Sequence, residues 1–399
     1  MVKLIYFRVD PKISGFEKEW LHWIKLWEIE FPLCRMEVEL LMFENSKEMN
    51  QARCDNFFLS KKLKDKSSSI LLNLTSPEHF YHTEAVTCGG LFLGNTESIP
   101  AKWLEKFRTM DFIIAFSEWN SNVIKRLMPE KKIFTVPFPI AIEGKVVPSI
   151  PISLYDVDLA ILKDDYRFSA IDLPQSFQQY PLFFAETRLS PLDGIPILIS
   201  EWFRFMKKGG LGSLVISIDF KRLGERKDEK IRDFIDMAFR LMRRNSLSRS
   251  TIYFISDASS NGHSIGEKTW FFSIVDAVVL PSHEGGLLSE NTTALLEMEK
   301  PIIAPRHSDV ADIIPSDYPL TLSWKSENCS FDDEENMVPL TAHWFVIEEG
   351  SLVEAMDQFC IMSEETRKEF ARNVKKMVNL RYSERTILDA IKSFAGEFL

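Results

Sequence analysis

The segment VVLPSHEGGLLSENTTALLEMEKPIIAPRH, residues 278–307, sets a glutamate and two glycines between an apolar strand pattern and a helix pattern. Each residue type has a chemical use there. Gly285 and Gly286 lack a Cβ, so their backbone can come close to a ligand. The helix that follows offers unsatisfied N–H groups and a partial positive charge, which suit a phosphate. Glu284, when ionised, accepts from two hydroxyls of a sugar or ribose. Ser282 ends the strand, and Leu287 and Leu288 add backbone N–H groups beyond the glycines. The plain alternative is a tight strand-to-helix turn with a glutamate on the surface, and spacing alone does not separate the two.

The elements that must position this segment alternate along the chain. Short apolar runs (KLIYFRV, SILLNL, LFLGN, DFIIAFS, KIFTVPF) are separated by helical patterns over 15–29 and 101–109, and by a helix opening at the N-cap Ser117. From Pro137 to Pro181 six prolines interrupt any periodic element. An edge strand VDLAIL (157–162) is expected before the boundary. A second alternating set then runs through LFFAET, GSLVISI, STIYFIS, DAVVLPS and PIIA, with helices over 194–207, 226–244 and 289–299. Such alternation predicts α/β architecture with parallel sheets. The expected domains are 1–165 and 166–380, both Rossmann-like, with a helix over 381–399 packing back toward the first. Ligands of such sheets lie outside the carboxyl ends of the strands, which makes a cleft between two facing domains the expected site.

Composition narrows the chemistry. At 399 residues the chain is too long for one ordinary core. A net charge of −10 argues against a nucleic-acid partner, which requires a basic face. No run of 18 apolar residues predicts a membrane span. MVKLIYFRVD reads as a strand rather than a signal peptide. The five scattered cysteines contain no C-x-x-C pair and read as reduced thiols, so the expected location is cytoplasmic. Phe16, Trp20, Trp23 and Trp27 share one helical face by their spacing. That face is either core or a peripheral contact for a membrane surface or lipid-linked acceptor. Dinucleotide and P-loop fingerprints are absent.

Several segments together resemble the retaining glycosyltransferases of GT-B fold, the large "glycosyl transferases group 1" type. That family carries PS-x-x-E-G, a later glutamate and a G-x-P-V-I-A strand; here the run is PSHEGGLLSENTTALLEMEKPIIA. Its G-R-L-x-x-x-K-G opening of the second domain is similar to ETRLSPLDG, 186–194. IAPRHSDVADII, 303–314, sits where the family has a Gly-Gly loop followed by an acidic residue. ESIPAKWLEKFRTMDFIIAFSEWNSNVIKRL, 97–127, is similar to a first-domain pattern of one subgroup. The resemblance covers most of residues 90–399 in order.

The resemblance implies two Rossmann-like domains facing each other across a cleft. It implies transfer of a sugar from a UDP- or GDP-linked donor to a glycan, glycolipid or protein acceptor. It implies no metal and no cofactor beyond the nucleotide-sugar substrate, because basic side chains and N–H groups neutralise the leaving diphosphate. Glu284 would touch the donor sugar and Arg188 the phosphates. Ser14 and Gly15 would face the phosphates from the first domain. Glu97, with Thr96, and His82 or His79 would face the acceptor. The family's ribose-binding glutamate falls on Thr292 or Ala294, and Glu290 at the helix start is the better replacement over Glu297. Asp193 stands where the family has lysine, and Ser308-Asp309 stand where it has glycines. These departures leave a second reading open: a nucleotide-sugar-binding or partner-binding GT-B module without turnover.

Overall fold

A computed structural model describes residues 4–9, 17–32, 34–40, 69–75, 77–92, 94, 98–138, 150–156, 170–187, 189, 193–218, 227–247, 249, 251–257, 266–282, 289–328 and 343–398. The chain divides into two compact units. One comprises 1–141, 327–344 and 379–399; the other comprises 142–326 and 345–378.

In the first unit, β1 (Leu4–Val9), α1 (Glu17–Glu30), β2 (Arg35–Leu40), β3 (Ser69–Leu74), β4 (Thr87–Phe92), α2 (Ala101–Thr109), β5 (Phe112–Ala115), α3 (Glu118–Leu127) and β6 (Ile133–Thr135) follow in order. The strands form a parallel sheet in the order β2-β1-β3-β4-β5-β6. The chain reverses direction across the sheet between β1 and β3, the point where such a sheet opens a crevice at its carboxyl edge. β4 begins at Thr87, upstream of the expected run 91–95. Gly89 and Gly90 belong inside it: a Cβ would lie 2.3 Å from the Phe112 ring and 2.1 Å from the Phe80 ring. Two aromatic rings pack directly onto the backbone there.

The aromatic face of α1 is core where it is described. Trp23 and Trp27 are fully buried. Trp27 stacks on Phe31 at 5.8 Å and meets Phe7 and Phe394 edge-on. Phe394 belongs to the C-terminal helix Glu384–Phe398, which therefore completes this unit's core. Of the two readings of that face, packing is the one these tryptophans take. Phe16 lies outside the described residues.

In the second unit, β7 (Pro151–Asp156), β8 (Ala170–Ile171), α4 (Ser176–Gln179), β9 (Leu182–Thr187), α5 (Ile195–Lys207), β10 (Ser213–Ile218), α6 (Lys227–Arg244), β11 (Ile252–Asp257), β12 (Gly266–Glu267), α7 (Lys268–Ile274), β13 (Ala277–Val279), α8 (Glu290–Glu297), β14 (Ile302–Pro305) and β15 (Thr321–Leu322) follow. The sheet order is β12-β7-β11-β10-β9-β13-β14-β15, with β8 on β7. From β11 to β15 every pairing is parallel. Taking β9 as strand one, this stretch has the order 3-2-1-4-5-6 of a doubly wound dinucleotide-type sheet, with its switch point between β9 and β13.

β7 pairs antiparallel with β11, and its Ile152 and Leu154 are fully buried beside Phe177, Tyr253 and Phe271. The second unit thus begins before the expected boundary at 165/166, because an apolar strand upstream of it is needed to cover β11. That boundary and the expected strand 157–162 lie outside the described residues, as does most of the acidic stretch 326–337. Among the described residues no helix is long and apolar enough to cross a membrane.

Candidate functional site

The switch point of the second sheet is formed by the carboxyl ends of β9 and β13, which run side by side with Phe183 opposite Ala277 and Phe184 opposite Val278. Two loops leave from these ends. Residues 188–194 follow β9, and residues 280–289 follow β13. They contain the Arg188 and Glu284 singled out in the sequence, respectively. A third loop, 306–312, leaves the carboxyl end of the next strand, β14.

Each end of the second loop meets a described residue beside the first. Gly194, the residue preceding α5, adopts φ +68, and a Cβ there would lie 1.8 Å from the Pro281 carbonyl oxygen. Only glycine allows the start of α5 to close on the Pro281 turn in that conformation. At the other end, Ser289 caps α8 by accepting from the Thr292 N–H at 3.0 Å. Its hydroxyl also shares a hydrogen bond with the Glu186 carboxyl group. The Asn291 side-chain amide donates to the other Glu186 oxygen at 3.0 Å. The described residues on either side of 283–288 are therefore both held by the end of β9 and the start of α5: Pro281 lies against Gly194, and Ser289 is bonded to Glu186.

Although residue 186 keeps part of its surface open, its carboxyl group is enclosed. Burial pushes its pKa up, and the Ser289 and Asn291 hydrogen bonds and the Lys268 charge oppose that shift. Glu186 was not among the expected site residues. Its signal in the sequence was the polar pair Glu186-Thr187 ending an otherwise apolar strand. Thr187 is buried, donates to Asp193 at 2.7 Å and accepts the Leu189 N–H at 2.8 Å. Asp193, at the family's lysine position, thus fastens its own loop.

The third loop departs from the family in sequence and keeps a glycine-like backbone. Ser308, at the Gly-Gly position, has φ 54. That conformation costs a non-glycine residue about 1–2 kcal/mol. His307 beside it is buried, bonds Ser308 Oγ through Nδ1 at 2.9 Å and stacks on Phe345 at 4.0 Å. Packing around the imidazole holds the strained turn.

Ser282 and the backbone of Glu290 are described neighbours of residues 283–288. Glu284, Gly285, Gly286, Leu287, Leu288 and Arg188 lie outside the described residues, as do Ser14, Gly15, Thr96 and Glu97. The flanks of Glu97 are described. The Gly94 N–H donates to Asn120 at 2.8 Å, and Asn120 in turn is held by the cap residue Ser117. These anchor the loop after β4 at the carboxyl edge of the first sheet. Thr292 and Thr293 are buried and Ala294 is half-buried. Glu297 pairs with Lys375 at 3.3 Å at the far end of α8. Of the two candidate histidines, only His82 departs from expectation. The His79 carbonyl accepts from buried Arg8 at 3.4 Å, while His82 is exposed beside Cys88 and Asp111, at the amino ends of β4 and β5. The structure does not bring His82 to the carboxyl edge.

No protein-family model matches the sequence, and no match is found among curated proteins. Solved structures do match. HepE (Alr3699) of Anabaena, in complex with UDP, superposes with a TM-score of 0.59 at 13% identity, over 99% of this chain and all of that one. A UDP-forming α,α-trehalose-phosphate synthase from Burkholderia xenovorans gives 0.55 at 11% identity, over 100% and 99%. TarM of S. aureus, in complex with fondaparinux, α-GlcNAc-glycerol and UDP, gives 0.51 at 15% identity; the match covers 86% of this chain and 58% of TarM. At these identities the likeness is one of fold. That fold is the GT-B fold of glycosyltransferases, built from two Rossmann-like units.

Proposed function

We propose that the protein is a glycosyltransferase that binds a nucleotide-sugar at the switch point of the second sheet. The observation carrying this reading is the pair of contacts Pro281–Gly194 and Ser289–Glu186. It sets the flanks of Glu284 and Arg188 side by side at the place where doubly wound sheets take nucleotides. Arg188, the backbone of 285–288 and the start of α8 face the diphosphate, and Glu284 holds the sugar. Each charge-assisted bond to the leaving diphosphate is worth about 1.5–3 kcal/mol. Ser282 and Glu290 complete the same donor site. Glu97, Ser14 and Gly15, on loops of the first unit, serve the acceptor and the phosphates.

The donor is a UDP- or GDP-linked hexose, with UDP favoured because HepE and TarM were solved with it. Transfer proceeds with retention at the anomeric carbon and without a metal at the diphosphate. The acceptor is a glycan, glycolipid or protein, and the setting is cytoplasmic. A second reading, donor binding without turnover, is favoured by Asp193: an acid tied to Thr187 stands where the resembling family has lysine.

Release of free nucleotide from UDP- and GDP-sugars, with a panel of acceptors, tests the reading in wild type, Glu284→Ala and Arg188→Ala. Turnover in wild type that falls in both variants supports it. Tight binding with no release from any donor supports the second reading. No binding of any nucleotide-sugar overturns both. Product anomeric configuration, read by NMR, tests retention.

A further inference from the structure

At the amino edge of the first sheet, far along the strands from its carboxyl-edge loops, three donors of different chemistry converge. A ring nitrogen of His82, the Cys88 thiol and a carboxylate oxygen of Asp111 all lie within 4.8 Å of one another. Two of the three are set on rigid strand starts that hold each other. The Cys88 N–H donates to Asp111 Oδ2 at 2.7 Å, and the Asp111 N–H donates to the Cys88 carbonyl at 2.8 Å. The third donor lies on the loop leading into β4, and that loop is fixed from inside the sheet. Asn73, fully buried, accepts the Tyr81 N–H at 3.0 Å and donates to the Tyr81 carbonyl at 3.1 Å. His82 is the next residue. The Cys88 thiol lies 3.6 Å from the carbonyls of Thr83 and Val86, so it spans the same loop.

We propose that His82, Cys88 and Asp111 bind one divalent cation of the zinc(II) class. The set of one nitrogen, one sulfur and one oxygen matches a borderline-soft ion and is a poor match for magnesium or calcium, which take oxygen ligands. Around tetrahedral zinc, with bonds of about 2.0–2.3 Å, neighbouring donors stand about 3.3–3.8 Å apart. The present spacing reaches that geometry through a shift of about 1 Å, which the exposed His82 side chain can make. On binding, the Cys88 S–H bond breaks and its proton leaves to solvent, forming the S–metal bond. The thiolate and the Asp111 carboxylate then balance the two positive charges, with neutral imidazole as third ligand and water as fourth. The Cys88 N–H, bonded to one Asp111 oxygen, orients the carboxylate and leaves the other oxygen for the ion. Bound metal ties the loop 80–86 to β4 and β5. This site is separate from the donor site and does not depend on the transfer reaction.

Cobalt(II) is the probe, because a cobalt–thiolate bond gives a charge-transfer absorption that carboxylate or imidazole ligands alone do not. The full chain, stripped with chelator under reducing conditions, is titrated with cobalt(II) and then with zinc(II) in competition. The expected result is one equivalent of cobalt with a thiolate band, displaced by zinc. The band is lost in Cys88→Ser, and affinity falls at least about tenfold in His82→Ala and in Asp111→Asn. His82 and Asp111 are exposed, so these two variants keep the test independent of any folding defect in Cys88→Ser. A band that persists in Cys88→Ser arises from another of the five cysteines and overturns the assignment. Unchanged affinity in His82→Ala and Asp111→Asn, or no band in wild type, overturns it equally.

Discussion

The hydroxyl of Ser289, which caps α8, joins the carboxyl group of Glu186 at the end of β9, 103 residues away in sequence. The same oxygen accepts the Thr292 N–H and so starts α8. One atom therefore both begins a helix and fastens it to the neighbouring strand. Replacing Ser289 with alanine removes an N-cap, worth about 1 kcal/mol, and leaves an enclosed carboxyl oxygen short of a donor. The expected outcome for Ser289→Ala is a lower urea midpoint with an unchanged slope. A midpoint equal to wild type would show that the cap and the bridge contribute nothing.

Glu186 also makes stability depend on pH. Burial raises its pKa above the ordinary 4.5, so the folded state holds the proton more tightly than the unfolded chain. The contribution is complete below 4.5 and is lost as pH rises through the folded value. Glu186→Gln keeps the shape and the Asn291 hydrogen bond but cannot ionise. Between about pH 4 and about pH 8 the difference in unfolding free energy is expected to move in favour of the glutamine variant. Denaturation series at several pH values check the sign; a shift toward wild type with rising pH would contradict the enclosed-acid reading.

Trp27 tests whether the aromatic face of α1 is core. It packs on Phe7, Trp23 and Phe31, and on Phe394 of the C-terminal helix. Trp27→Ala is expected to cost about 3–5 kcal/mol. Hydrogen exchange over 384–398 is expected to speed up more than exchange in the second unit. Unaltered protection of that helix would mean that Trp27 does not hold it.

Much of the fold was legible because burial on both faces writes parallel strands as unbroken apolar runs. SILLNL and LFFAET coincide with β3 and β9. β2, RMEVEL, was missed because its charges interrupt the run, and β4 was displaced because Gly89 and Gly90 look like a turn until the rings packed on them are seen. At the candidate site, the expected Arg188 and Glu284 follow β9 and β13 in sequence, strands whose carboxyl ends lie side by side. What the sequence could not reveal were partnerships made through space. Nothing in the spacing tells that Glu186 meets Ser289, that Asp193 meets Thr187, or that His82 lies with Cys88 and Asp111. Glu186 with Ser289, and Cys88 with Asp111, join segments whose proximity is decided by strand order, and Asp193 meets Thr187 through the fold of a single loop.

Gly194 offers the sharpest test of the anchored loops. Its φ of +68 is reachable by other residues at some strain, but a Cβ at that position would overlap the Pro281 carbonyl oxygen at 1.8 Å. Gly194→Ala must therefore push α5 and the 281–282 turn apart, at a cost of more than about 1 kcal/mol. If 186–194 and 282–288 together hold the diphosphate, that separation alters the spacing of Arg188 and Glu284 with neither side chain touched. Displacing a site by 1 Å costs on the order of 100-fold in rate. UDP titration by calorimetry and nucleotide-release rates, taken where the variant is still folded by circular dichroism, are expected to show weakened binding and a loss of that order. A folded Gly194→Ala protein with wild-type UDP affinity would mean that the two loops bind independently, and the assignment of one donor site to the switch point would have to be abandoned.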